Sequence, residues 1–182
     1  MPLFFLMMKA ETENVGSVTL RQDANLRISV RNPLNPDEVR ENVVIDPSEI
    51  IELDGTTCSR EPSHHFHLTW EGSKKASILQ VHSGAEKAIS VLKGSSKKKY
   101  KGETPRSYTA EDSGNWVPLL LLECRGMEPY AFHPMEDEFE ITSEAGCAFN
   151  ENIELDDDWA DYDADNDAPV SLSEIEFEFK SV

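Results

Sequence analysis

Apolar and polar residues alternate with period two over several stretches of this sequence, and that alternation narrows the fold more than any other feature. Leu26-Arg-Ile-Ser-Val-Arg31 shows it, as do Phe139-Glu-Ile141 and Ile175-Glu-Phe-Glu-Phe-Lys180. Successive side chains of an extended chain point to opposite faces, so these segments read as half-buried strands. Leu119–Leu122 is apolar throughout and reads as a short strand buried on both faces. Helical periodicity is weak; the best candidate runs from Ala85 to Leu92, with Ala85, Ala88, Ile89 and Leu92 on one side. Ten prolines and nine glycines punctuate the remainder. The expected fold class is all-β, mainly antiparallel.

A faint internal echo points to two similar β halves. Phe4-Phe-Leu-Met-Met runs into Glu13-Asn-Val, and Leu119–Leu122 runs into Glu128-Pro-Tyr. An alternating strand follows each. Between the halves lies Lys93-Gly-Ser-Ser-Lys-Lys-Lys-Tyr-Lys-Gly-Glu-Thr-Pro105, which has the composition of an exposed loop. The expected organisation is therefore an N-terminal half over residues 1–92, a basic loop over 93–106 and a C-terminal half over 107–182.

Charge is sorted along the chain. The 182 residues hold 17 Lys and Arg against 35 Asp and Glu, a formal charge of −18. Residues 73–106 carry an excess of seven positive charges, whereas Glu136 to Glu178 contains 17 acids and no Lys or Arg. So acidic a chain is repelled by phosphate, which argues against nucleic acid and anionic membrane as partners. The four lysines Lys97, Lys98, Lys99 and Lys101 have only Tyr100 nearby to stack a base, too little to change that expectation. The acidic C-terminal surface is instead suited to a basic protein partner.

The longest apolar stretches, Met1 to Met8 and Val117 to Leu122, fall far short of the roughly 20 residues that span a bilayer. Met1–Met8 lacks a basic leading region, so no signal peptide is expected. The three cysteines, Cys58, Cys124 and Cys147, are scattered and never form a CxxC pair. Such usage fits a reduced compartment. The expected location is the cytoplasm, with the nucleus also open to the chain.

Few residues offer chemistry. Cys58, His64, His65 and His67 form one Cys/His cluster that could supply zinc ligands, with His65 and His67 expected on one face of a strand and His64 on the other. Asp163 to Glu174 approaches a calcium loop, but Ala168 stands where a sharp turn wants glycine and the next segment alternates like a strand. Cys124 beside Arg125 is the one candidate nucleophile, although its place after an apolar run favours an inert buried thiol. There is no G-x-S-x-G, P-loop, G-x-G-x-x-G or H-E-x-x-H, so a non-enzyme is expected.

Five segments carry a family resemblance: Lys9-Ala-Glu-Thr-Glu-Asn-Val15, Tyr108-Thr-Ala-Glu-Asp112, Leu122-Glu-Cys-Arg-Gly-Met-Glu-Pro129, Gly146-Cys-Ala-Phe149 and Trp159-Ala-Asp-Tyr-Asp163. Together they resemble the CXXC-motif-containing zinc-binding protein family of eukaryotes. The resemblance implies an all-β intracellular protein of two similar halves with no established enzymatic activity. It also implies two CxxC pairs that bind one zinc ion, placed here within a region of about residues 31–75. At those positions the sequence has Asn32 and Asn35, then Thr69 and Gly72, and no alternative alignment supplies a CxxC. Amide, hydroxyl and glycine cannot replace four thiolates around zinc.

Two expectations follow. Either the zinc is lost and ordinary turns hold that end, for which Asn-Pro-Leu-Asn-Pro is well suited, or Cys58, His64, His65 and His67 form a replacement site. Loss is the favoured outcome, with no cofactor expected. The functional expectation is a non-catalytic adaptor or chaperone-like protein that binds a protein partner through Trp159, Asp161, Tyr162 and Asp163. A zinc-binding or metal-handling protein built on the Cys/His cluster is the alternative.

Overall fold

The computed structural model describes residues 1–52, 62–95 and 102–182. Its first half holds β1 (Leu3–Glu13), β2 (Val15–Leu20), β3 (Leu26–Asn32), β4 (Asn35–Ile45), β5 (Phe66–Leu68) and β6 (Ser77–His82). The helix α1 (Ala85–Ser95) and the two-residue strand β7 (Tyr108–Thr109) lead to a 3₁₀ turn at Ala110–Asp112. The second half holds β8 (Val117–Arg125), β9 (Glu128–Phe132), β10 (Phe139–Ser143), β11 (Ala148–Phe149), β12 (Trp159–Asp163) and β13 (Ala168–Ser181). The fold is mostly antiparallel β, as the alternation predicts.

Strand order is β12-β13-β1-β8-β6-β5 in the largest sheet, β11-β10-β2-β7 in the second and β4-β3-β9 in the third. Exchanging β1 with β8, β2 with β9, β3 with β10 and β6 with β13 leaves the central pairings unchanged. The β1–β8 pair maps onto itself, and β2–β10 maps onto β9–β3. The echo between the two apolar runs is thus the linear trace of a pseudo-two-fold topology. Every sheet mixes strands from both halves, so neither half owns a sheet.

The unbroken apolar runs follow from that arrangement. A strand covered on both faces reads as continuous hydrophobic sequence. Phe4, Leu6, Met8 and Ala10 of β1 enter the main core, while Leu3, Phe5 and Met7 join Leu121 beneath α1. The helix contributes Ala88 and Leu92, with Val91 packed beside them; Ala85, expected on the same face, is exposed. At the other extreme, β13 has water on one face. Ile175, Phe177 and Phe179 turn inward, with Phe177 set against Phe132 at 5.0 Å and Phe139 at 5.8 Å between ring centroids. Glu174, Glu176 and Glu178 are exposed.

β12 pairs with β13 only from Ala168 to Leu172. From Ser173 to Ser181, β13 therefore pairs with β1 alone among the described strands. That leaves one edge of a long acidic strand without a strand beside it.

Tyr108 ties the connection between the halves to β1. Its buried hydroxyl accepts from the Ala10 amide at 3.2 Å and reaches the carbonyls of Ala10 at 2.8 Å and Asp112 at 2.5 Å. Asp112 closes the turn. It accepts from the Thr109 amide and hydroxyl at 2.9 and 2.8 Å, and Arg106 grips both its oxygens at 2.6 and 2.7 Å.

The Arg106 guanidinium, aided by Thr109, holds the Asp112 carboxyl down at about 2. A carboxylate with a depressed folded value stabilises the protein above its ordinary range and loses that contribution as pH falls through the folded value. Asp112→Asn is therefore expected to cost about 1 kcal/mol at neutral pH, a partly solvated pair being discounted for screening. It should also flatten the loss of stability between the ordinary 3.8 and about 2. Acid titration of the thermal midpoint of both proteins checks this; parallel curves would refute it.

Candidate functional site

The segments that the resemblance assigns to zinc are two turns held side by side. Asn32 and Asn35 pair across the tip of the β3–β4 hairpin, leaving Pro33 and Leu34 as a two-residue turn. The second turn runs from Trp70 to Ser73, closed by the Ser73 amide on the Trp70 carbonyl at 3.0 Å. Gly72 sits there at φ +72°, a left-handed conformation that side chains resist. Thr69 and Gly72 are exposed.

Glu38 of β4 joins the turns. One carboxylate oxygen accepts from Asn32 Nδ2 at 2.8 Å, and the other accepts from the Glu71 amide at 2.8 Å. The Asn32 side chain first, and the Glu71 amide second, hold the Glu38 carboxyl below the usual range. Asn32 Oδ1 meanwhile accepts from the Leu34 amide at 3.0 Å, so both polar atoms of that side chain are engaged.

Trp70 forms the floor between the turns. It is buried, donates from Nε1 to the Gly126 carbonyl at 2.7 Å, and lies 5.5 Å beneath the Arg40 guanidinium. Ser77 Oγ donates to the same carbonyl at 2.8 Å. Gly126 has φ +72°, and a Cβ there would meet Ser77 Oγ at 2.5 Å, so close packing demands glycine at this position. Around these groups lies a cleft of about 670 Å³, with Leu34 on its rim at 94% exposure.

Zinc does not fit this donor set. Asn32, Asn35, Thr69 and Gly72 offer no thiolate or imidazole, and the Asn32 amide is already committed to Glu38 and Leu34. Asn-Pro-Leu-Asn-Pro reads as a turn in the sequence, whereas the second turn, Glu38 and Trp70 do not stand out there. The only linear signals of Glu38 and Trp70 are a carboxylate three residues after Asn35 and a tryptophan in a polar stretch.

The Cys/His cluster is arranged differently from its linear pattern. Cys58 lies outside the described residues. The strand expected to carry His65 and His67 on one face starts only at Phe66, and His64 precedes it as an isolated bridge to Ile51. In consequence His64, not His65, meets His67. Their rings stand edge to face with centroids 5.3 Å apart, and His64 Nε2 lies 3.3 Å from His67 Nδ1. His65 points elsewhere and accepts the Val81 amide on Nδ1 at 2.8 Å. Burial, then the neighbouring His82 and Lys87, push its pKa down. Among the described residues no three His, Cys, Asp or Glu side chains converge as a metal cluster.

The C-terminal candidates divide between core and surface. Trp159 is 8% exposed and packs edge to face on Phe149 at 5.4 Å, so it is a core residue and not an open anchor. Asp163 is also buried. It accepts from Ser143 Oγ at 2.8 Å, from Asn166 Nδ2 at 2.9 Å and from the Asn166 amide at 3.2 Å. Burial raises its carboxyl, but these donors outweigh burial and leave the pKa below its ordinary value. Trp159 and Asp163 are the two buried ends of β12, held by Phe149 and by Ser143 and Asn166. Asp161 and Tyr162 remain exposed, with the Tyr162 hydroxyl donating to Asp167.

The segment that approaches a calcium loop is the β12–β13 hairpin. Asp163 pairs with Ala168, and its oxygens are spent on Ser143 and Asn166. Cys124 is buried in the main core, and burial pushes its thiol up, far from the range of an activated nucleophile. His82 of β6 bonds Glu123 of β8 at 3.0 Å, and His133, just past β9, bonds Ser29 of β3 at 2.8 Å. Among the described residues no helix is long and apolar enough to cross a membrane.

Comparison with known proteins places this geometry. A solved structure described as a hypothetical protein from Plasmodium falciparum superposes with a TM-score of 0.75 at 22% identity, covering 99% of this chain and 100% of that one. The crystal structure of C1orf123 gives 0.77 at 21% identity, covering 99% of each. At such identity the likeness establishes the fold. Among curated proteins, the Drosophila melanogaster UPF0587 protein CG4646 is 38% identical over 72 residues, 40% of this chain and 44% of that protein. The Homo sapiens CXXC motif containing zinc binding protein is 34% identical over 76 residues, 42% and 48% respectively. The aligned part of the chain thus spans less than half the length of these relatives. The family described as CXXC motif containing zinc binding protein, eukaryotic, matches residues 5–180. The chain belongs to that family, although its sequence holds no CxxC pair.

Proposed function

We propose that this protein is a non-catalytic binding protein, adaptor or chaperone-like in use, which takes a basic extended protein segment along its acidic C-terminal edge. The observation that carries this reading is the β13 edge from Ile175 to Ser181, paired on one side only among the described strands, just past Glu174, whose amide donates to Asp158 at 3.0 Å. An unpaired edge offers backbone donors and acceptors to an added strand, and side-chain charge selects the partner. Glu176 and Glu178 lie along it and Glu174 stands at its start, with Asp161 and Tyr162 exposed on the neighbouring β12. Acidic side chains also discourage a second copy of the same edge from pairing there. Trp159 and Asp163 hold β12 in place from within.

The test is a titration of the full chain into a fluorescently labelled peptide of alternating lysine and valine, read by anisotropy at low and high salt. Saturable binding is expected, weakened about tenfold by Glu174→Lys with Glu178→Lys, both of which spare the Lys9–Glu176 ion pair. A peptide of alternating glutamate and valine should not bind. Equal affinity for the two peptides, or indifference to the double reversal, would overturn the proposal.

A further inference from the structure

The contact between His64 and His67 differs from the other histidine contacts in this chain. Imidazole has two nitrogens, and in the neutral ring one donates while the other accepts. His64 Nδ1 faces the carbonyl of Pro62 at 3.1 Å, which can only accept. The proton of neutral His64 therefore resides on Nδ1, and the lone pair of Nε2 is directed at His67. A carbonyl acting on the remote ring nitrogen is the usual way a protein fixes the tautomer and orientation of a metal-binding histidine.

The separation agrees with that role. At 3.3 Å, His64 Nε2 and His67 Nδ1 stand farther apart than a typical nitrogen-donor hydrogen bond of about 2.9–3.0 Å. Two ligands at about 2.0–2.1 Å from a tetrahedral zinc ion are separated by about 3.3–3.4 Å. The perpendicular rings, 86° apart, keep the two lone pairs from being blocked by stacking. His64 is 1% exposed and anchored by paired backbone bonds to Ile51 at 2.7 and 3.2 Å, whereas His67 is exposed. One ligand is thus fixed by the fold, and the other faces solvent, from which an ion arrives.

We propose that His64 and His67 form a two-imidazole site for a zinc-like divalent transition metal, with water completing its coordination. The site is distinct from the positions Asn32, Asn35, Thr69 and Gly72, and it does not rest on the peptide-docking reading. Hard cations prefer oxygen ligands, so magnesium and calcium should not compete for the imidazoles.

Untagged full-length protein is titrated with Zn(II) by calorimetry in excess magnesium, which occupies weak carboxylate sites. One zinc per chain at micromolar affinity is expected at neutral pH, falling at least tenfold in His67→Gln. That side chain is exposed, so the variant should fold, and an unchanged circular dichroism spectrum confirms it. His64→Gln should likewise lose the zinc-dependent rise in thermal midpoint. Failure of the wild-type chain to bind zinc, or retention of full affinity by folded His67→Gln, would overturn the proposal.

Discussion

Trp159→Ala is expected to destabilise the protein by about 3–5 kcal/mol, the range for removing a large aromatic side chain from a core. In a domain of this size that lowers the thermal midpoint by roughly 10 °C. The cause is the packing of Trp159 on Phe149 and its membership of the main core, with Leu172 opposite it on β13. Tyr162→Ala, three residues away, removes a ring that is 50% exposed and should stay within about 0.5 kcal/mol of the parent. Thermal denaturation of the pair separates core from surface on one strand. An unchanged midpoint for Trp159→Ala would mean that the ring is not part of the packed core. If Tyr162→Ala then weakens the lysine–valine peptide without loss of stability, the acidic edge gains an aromatic contact.

Trp70→Ala should have the second large effect, about 3–4 kcal/mol, because it combines a lost aromatic contact with the loss of one of the two hydrogen bonds to the Gly126 carbonyl. Gly126 O accepts from both Trp70 and Ser77, and the Arg40 guanidinium rests over the indole. Trp70→Phe keeps most of the ring and loses the Nε1 donor, so it should cost about 1–2 kcal/mol. Chemical denaturation of the two variants distinguishes packing from hydrogen bonding. Equal losses in both would assign the whole effect to the hydrogen bond. Trp70 and Glu38 together hold the two turns in place.

The strands were legible because a pleated strand writes its burial into the sequence with period two. β3, β10 and the outer part of β13 show alternation, while β1 and β8 show continuous apolar runs because both their faces are covered. The helix was legible from the spacing of Ala88 and Leu92, although Ala85 proved exposed. Site residues were harder. Trp159 and Asp163 lie in an acidic stretch that suggests open surface, yet both ends of β12 are buried. Period two groups Asp161 with Trp159 and Asp163, yet Asp161 is exposed, so the burial of the two ends follows from their packing on Phe149 and their bonds to Ser143 and Asn166, not from alternation.

Sequence alone determined the β class, the two-fold echo, the acidity of the C-terminal quarter and the lack of any CxxC pair. Each depends on residue type or on neighbours along the chain. Tertiary structure decided which residues meet: Glu38 with Asn32 and Glu71, Trp70 with Gly126, and His64 with His67 in place of His65. Two of these contacts join segments more than thirty positions apart, and the third depends on where a short strand begins. Hydrophobic periodicity fixes which face a residue occupies within its own strand. The partner opposite that face is set by sheet order and register, through pairings between residues distant in the chain.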